Sequence, residues 1–556
     1  MFSKNNLDKS TSPYLLQHKH NPIHWQEYST KVIEHAKEYD LPILISIGYS
    51  TCHWCHVMAN DTFSNVEIAD YMNKNYVNIK VDREQRPDID SYAMSFIQEA
   101  YGQGGWPLNV IFTPNLEPFF AGTYIASTPK YSMPGFLEVA TQVKEFYEDN
   151  KDTITAYIPR TFSDNIIESP DFEIYKNQID SENWGNKANQ KFPPHCTLLY
   201  LLSNPHVEHD IEIQNYLKNT LDKMASSGLH DQIGGGFYRY CVDQQWHIPH
   251  FEKMLYDQAM MLISYSLGYK KFEEPQYLEI IKQIIFSLDD TFRIDDLYMS
   301  GHDADTDHEE GTTYLWTSAE FNDIEKYTPV EFEGKYHITG FIGDKELKTK
   351  LYETRKLRPQ PDVDTKIITS INALLGVAFC FIEKYTDLKT DVEKLYRSLL
   401  SQSNRHSDTQ KEYFLEDAAS IFLLQTFLFE RKLVNTTTLD AQFQNLQRFN
   451  TKDGWVENPG EDFHQVMAPN FDHPIPSTLS LLNWALLRYK IIKEEELPDL
   501  DYKMPINFDA HNYVALFERE HKLYKVSNMP TKKDLLSLYI EDDSNTMCYK
   551  GACRPI

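Results

Sequence analysis

The sequence predicts an α/β domain followed by an all-α domain of paired helices. Three observations carry that expectation. Strand and helix signals alternate through the first 165 residues or so. Helix-length apolar segments then recur in pairs, at a spacing of roughly 40 to 55 residues. Between the first two strands lies a close cysteine pair, Cys52 and Cys55, opening a helical stretch.

The elements follow in order. His24 to Tyr39 reads as a helix, and PILISI (Pro42 to Ile47) as a buried strand. After GYSTCHWCHVM a helical stretch runs to about Tyr76, and YVNIKV (Tyr76 to Val81) is the second strand. A helix over about Asp88 to Tyr101 stops at GQGG, and PLNVIF (Pro107 to Phe112) and Pro118 to Tyr124 are the third and fourth strands. A helix over about Gly135 to Asp149 completes a sheet covered by helices. Residues 165 to 195 are polar and irregular. The expected division is therefore 1–165, a linker over 166–195, and a helical domain over 196–556. In the latter, Thr197–Ser203 pairs with Ile211–Ser226, His250–Tyr269 with Tyr277–Phe292, and Ile367–Tyr385 with Asp391–Ser401. Phe414–Lys432 pairs with Leu439–Phe449, and Pro476–Ile492 with Phe508–His521. Helical hairpins of this kind stack as a solenoid or close into a toroid.

The 556 residues are 41% hydrophobic and 24% charged, a balance that builds a large soluble core. The formal charge of −28 repels phosphate backbones and anionic lipid, so neither nucleic acid nor a membrane is an expected partner. Mean hydropathy is −0.52, and no apolar run of spanning length occurs. MFSKNNLDKSTSPYLLQHKHN lacks both a secretory apolar core and Arg-rich transit character, so we expect a cytoplasmic protein. Seven scattered cysteines suit that reducing compartment.

Cys52 follows a strand and begins a helix. Unpaired N–H groups and the positive end of the helix dipole there favour thiolate over thiol. Cys52 is the expected nucleophile, and Cys55, one turn on, resolves the mixed disulfide. Cys52-x-x-Cys55-His56 also matches a haem-attachment pattern, which needs an exported protein. A metal site over Cys52, Cys55, His53 and His56 lacks a second CxxC. We assign no metal and no cofactor. Asp82, Arg83 and Glu84, after the second strand, read as a solvated charged loop without chemistry.

In the helical part, GLHDQIGGGFYRYCVDQQWHIPHFEKMLYD (Gly228 to Asp257) holds three glycines, which demand loop geometry. Pro249 is expected at the start of a helix, with His250 and Glu252 in its first turn. Trp246, His250, Glu252, Tyr256 and Asp257 are the candidate pocket residues: aromatics stack on sugar faces, and His with Glu moves protons. The acidic run SGHDADTDHEEG offers Asp303 and Asp305 as partner carboxylates for Glu252. His308 stands where a calcium loop requires glycine.

SPYLLQHKHNPIHW, LISIGYSTCHWCHVM, IKVDREQRPDID, GQGGWPLNVIFTPNLEPFFAGTY and GGGFYRYCVDQQWHIPHFEKMLYDQ resemble the thioredoxin-like family of spermatogenesis-associated protein 20 and its bacterial relatives. The resemblance implies a thioredoxin-like domain joined to an (α/α)6 toroid of the six-hairpin glycosidase and sugar-epimerase kind. It gives Pro107 the role of a cis-proline facing the redox pair. Cys548 and Cys553 resemble the family's terminal cysteine pair. The function expected is thiol–disulfide exchange at Cys52 and Cys55 with a protein disulfide or a small-molecule thiol, the toroid binding a partner or a sugar-like ligand. The alternatives are a sugar-active toroid, of epimerase or glycoside hydrolase type, and a non-catalytic binding protein.

Overall fold

The fold is described from a computed structural model. It covers residues 2–495 except 131–132, 160–171, 205–206, 308, 321–323, 403, 461, 471 and 473, and then 523–527, 537–549 and 552–555.

The α/β domain holds a five-stranded sheet: β1 (Gln26–Glu27), β2 (Ile43–Gly48), β3 (Val77–Asp82), β4 (Leu108–Phe112) and β5 (Pro118–Gly122). Their spatial order is β1-β3-β2-β4-β5, with β1, β3 and β2 parallel and β4 and β5 antiparallel to their neighbours. β2 and β3 are buried at every position, as central strands covered on both faces are. The longer helices are α1 (Thr30–Tyr39), α2 (His53–Asn60), α3 (Val66–Asn75), α4 (Pro87–Tyr101) and α5 (Phe136–Asn150), and a short helix over Pro13–Gln17 precedes them. Their ends follow local chemistry. Asn65 accepts hydrogen bonds from Glu67 and Ile68 N–H to cap α3. Pro87 starts α4, and Gly102 stops it with φ of +74°. Ile43, Ile45 and Ile47 face one core layer, while Leu44 joins Tyr14, Trp25 and Phe63 in the other. The first expected helix starts later than read: His24 precedes a short strand, and α1 begins at Thr30.

The second domain is an (α/α) toroid. Its inner helices are α6 (His195–Ser203), α8 (Leu255–Phe272), α10 (Thr369–Tyr385), α12 (Leu415–Phe429) and α14 (Thr478–Ile492), each packed on the next. Its outer helices are α7 (Ile211–Ser226), α9 (Pro275–Ser287), α11 (Val392–Ser401) and α13 (Thr436–Leu446). The two sets differ in pattern. α11 buries Val392, Leu395, Tyr396 and Leu399, one helical stripe. α8 buries every residue from Leu255 to Gly268, as a helix covered on all sides must. The outer helix expected over Phe508–His521 lies outside the described residues. Cys548 and Cys553 form a disulfide across a terminal hairpin.

The helix expected from Pro249 is a correction. Pro249–His250 and Lys253–Met254 are short strands, and α8 starts only at Leu255. Met254 pairs with Gly301 and Lys253 with His302, so the sheet claims the residues that a first turn would use. The glycines have a structural reason. Gly235 and Gly236 have φ of +76° and +74°, and a Cβ on Gly235 would stand 2.3 Å from the Gln283 carbonyl oxygen. Their loop holds Asp231, whose carboxylate takes Arg355 at 2.9 Å and Lys253 at 2.7 Å.

Candidate functional site

β2 ends at Gly48, and Tyr49 to Thr51 carry the chain to the head of α2. Cys52 is the N-cap, and its sulfur accepts a hydrogen bond from the Cys55 N–H at 3.2 Å. The two cysteines form a disulfide with Cα atoms 5.2 Å apart. Cys52 is 3% exposed and Cys55 1%, while Trp54 between them is half exposed and packs on Tyr124. The Trp106–Pro107 peptide is cis. β4 pairs Leu108 with Ile47, so Pro107 follows on beside the end of β2, and Trp106 packs against the core that holds the disulfide.

The residues on either side of the pair meet the toroid. Thr51 Oγ donates to Glu252 Oε1 at 2.7 Å. Glu252, fully buried, takes Arg239 on Oε2 at 3.0 Å, and the same guanidinium reaches the Tyr49 hydroxyl. His53 Nδ1 lies 3.1 Å from Asp305. His56 donates through Nε2 to the Ser50 carbonyl at 2.8 Å and lies 3.5 Å from Asp303 and 3.7 Å from Asp305. Burial opposes charge on His56, but the bond to Asp305 and the charge of Asp303 overcome it and lift the imidazole to about 9. Burial pushes Asp303 up to about 6, with His56 opposing. Asp305 is held well below the usual carboxylate range, because its hydrogen bonds to His53 and His56 outweigh burial. His56, Asp303 and Asp305 thus bring donor atoms within 4.8 Å of one another, a set whose chemistry suits a cation, as does His406 with Glu416 and Asp417.

Asp82 and Glu84 are the second correction. They are not solvated: Lys366, fully buried, reaches Asp82 at 2.6 Å, Asp364 at 2.8 Å and Glu84 at 3.1 Å. Ser300 Oγ donates to Glu84 at 2.7 Å, and His406 Nε2 donates to the Glu84 carbonyl oxygen at 2.8 Å. Arg83 lies over the Trp106 ring at 3.9 Å and the Tyr49 ring at 5.4 Å. The rim of the α/β domain is therefore an ion-paired seam against the segments that precede α8, α10 and α12. Reading it from sequence would have required knowing that Lys366, some 280 residues on, returns to the end of β3.

The remaining candidates divide. Tyr256 and Asp257 are buried on α8; Asp257 pairs with His195 at 2.9 Å, and its second oxygen has no hydrogen-bond partner among the described residues. His250 gives Nδ1 to Glu310 at 2.6 Å and lies 3.6 Å from Glu252. Asp303 and Asp305 face the histidines of the α/β domain, and Glu252 faces its Thr51. Trp246 is elsewhere. It is fully buried, and its indole donates to the carbonyls of Asn183 and Trp184. Its ring packs on the Asn183–Gly185 segment, away from the acidic cluster.

Residues 4–164 match the family model Thioredox_DsbH, described as a protein of unknown function, DUF255. The chain is 36% identical over 350 residues to human spermatogenesis-associated protein 20, covering 58% of this chain. That match spans 44% of the human protein, less than half its length. It is 30% identical over 597 residues to uncharacterized protein B0495.5 of Caenorhabditis elegans, covering 89% of this chain and 81% of that one. A D-mannose isomerase structure aligns over 70% of this chain and 95% of its own, at 11% identity and a TM-score of 0.38. Among the described residues no helix is long and apolar enough to cross a membrane.

Proposed function

The chain belongs to the thioredoxin-like family of spermatogenesis-associated protein 20, and on that premise we propose that it is a cytoplasmic thiol–disulfide oxidoreductase acting through Cys52 and Cys55. The observation that carries this reading is the N-cap position of Cys52, with the Cys55 N–H directed at its sulfur. That N–H and the helix dipole stabilise a thiolate on Cys52 ahead of Cys55. The Cys52 thiolate attacks one sulfur of a substrate disulfide, and the other sulfur leaves with the electron pair. Cys55 then attacks Cys52, closes the protein disulfide and releases the second sulfur as thiolate. The cover over Cys52 favours a small thiol or disulfide over a folded protein.

The test is the equilibrium of the pair in a glutathione series, read by differential alkylation and mass spectrometry. The expected midpoint falls at roughly −180 to −300 mV, the span of cellular thiol systems. A pair that stays reduced throughout, or a Cys52→Ser protein with undiminished exchange, rejects the reading.

A second reading, a sugar-active toroid, has one specific support. Glu416 N–H donates to Glu457 Oε1 at 2.9 Å, and burial pushes both carboxyls above their usual range, with the charge of Glu416 adding to the rise at Glu457. Acids that keep their protons near neutrality are what glycosidic chemistry needs. Glu457→Gln would abolish any such turnover and leave thiol exchange intact.

A further inference from the structure

Behind the disulfide, β3 carries a lysine into the domain core. Val77, Ile79 and Val81 point to one layer, so Lys80 must enter the other. It is 1% exposed. Among the described residues no carboxylate stands within ion-pair distance of it. Its amine instead donates to the Tyr14 hydroxyl and the Ser46 hydroxyl, each at 2.9 Å. The rings of Phe63, Tyr14 and Trp25 surround it at 4.6, 5.1 and 5.2 Å. A buried amine without a carboxylate partner holds its extra proton less tightly than a solvated one, and burial does hold Lys80 well below the usual lysine range.

Tyr14 continues the line toward the cysteines. A Cβ on Gly48 would stand 2.4 Å from Tyr14 Oη and 2.7 Å from Cys55 Sγ. The phenol oxygen and the sulfur therefore border the same small space, which the glycine leaves open. The other titratable groups facing this line are few. His18 packs edge-on against Tyr14 at 5.0 Å and is held neutral by burial and by the charge of Lys80. Asp82 acts on Tyr14 from the far side while paired to Lys366 and Ser12. His56 lies on α2 beyond the cysteines.

We infer that Lys80 and Tyr14 form a buried proton relay for Cys55, a positioning pair that serves the oxidoreductase reading above and rests on it. When Cys55 resolves the mixed disulfide on Cys52, its S–H proton passes to Tyr14 Oη as the phenol gives its own to the Lys80 amine. The Cys55 electron pair forms the bond to Cys52, and the bond from Cys52 to the substrate sulfur breaks, the substrate leaving as thiolate. Re-reduction by a small dithiol runs the same line backward. Cys55 leaves Cys52 with the electron pair and takes a proton through Tyr14 from the Lys80 ammonium. One cycle of oxidation and reduction returns the relay to its start.

The experiment follows reduction of the full chain by dithiothreitol across pH, at constant dithiothreitol thiolate, with Cys55 read by alkylation. Lys80→Met and Tyr14→Phe are each expected to slow release of Cys55 about 10- to 100-fold and to remove one ionisation from the rate profile. Lys80→Arg keeps the charge but cannot give up a proton, so it is expected to stay slow. A wild-type profile in Tyr14→Phe, which keeps the ring and the fold, overturns the relay while the oxidoreductase reading stands. Recovery in Lys80→Arg also overturns it, leaving only an effect of charge. If the wild-type disulfide fails to exchange at all, the oxidoreductase reading falls and the relay with it.

Discussion

The disulfide lies between two unlike faces of one small domain. In front, toward the toroid, charge meets charge: His53 and His56 with Asp303 and Asp305, Thr51 and Arg239 with Glu252, Lys366 with Asp82, Glu84 and Asp364. Behind, a single amine sits among rings and hydroxyls with no counter-ion among the described residues. The front binds two domains together and sets where protons rest. The back leaves one proton unanchored. A buried ion network resists change, because removing one partner strands the rest. A buried unpaired amine is the reverse, since burial favours its losing charge.

The largest expected effect breaks the front. Lys366→Met leaves three carboxylates without their shared cation, and the loss of stability should be about 3–5 kcal/mol, read by urea unfolding. Lys80→Met should cost far less, or stabilise, since it replaces a lone buried amine by an apolar chain. If both cost alike, the contrast between the faces fails.

Next is Asp305→Asn, which removes the negative charge that His53 and His56 share. The expected cost is about 2 kcal/mol, with the His56 resonance titrating at lower pH in NMR.

The pH course sharpens the same point. His56 stands near 9 in the fold, above its ordinary 6.5. Its raised value means that the folded state binds the proton more tightly. Its contribution is therefore full below about 6.5 and is lost as pH rises through about 9. Thermal midpoints should fall across that window, and the fall should be shallower in Asp305→Asn. An unchanged slope would remove His56 from the seam.

The smallest effect is Thr51→Val. It deletes one hydrogen bond to a carboxylate that Arg239 still holds, so about 1 kcal/mol is expected.

The parts of this protein legible in the sequence are those governed by near neighbours. The strand before Cys52, the helix after it and the spacing to Cys55 are consecutive, and the cap geometry follows from them. Helix pairing in the second domain was legible because inner and outer helices bury different fractions of their surface, which composition and period record. Asp303, Asp305 and Glu252 could be picked out as candidate acids, but their partners could not. Thr51 and Glu252 are 201 residues apart, and His53 and Asp305 are 252. The expected helix at Pro249 failed because strand pairing with Gly301 and His302 overrode a local start signal. Trp246 read as a sugar platform and proved to be core, since an aromatic among polar residues carries the same signal in either place.

The α/β start, the cysteine pair at a helix head and the helical pairs were written in local order, because periodicity, capping and turn chemistry act within a few residues. Chain closure settled that Asp82 is buried and Glu84 ion-paired with Lys366, that the residues flanking the disulfide meet the toroid, and that Lys80 has no counter-ion among the described residues. Desolvation is the reason: what a charge costs and what it does depend on which distant groups replace its water, and that is settled only when the chain has closed around it.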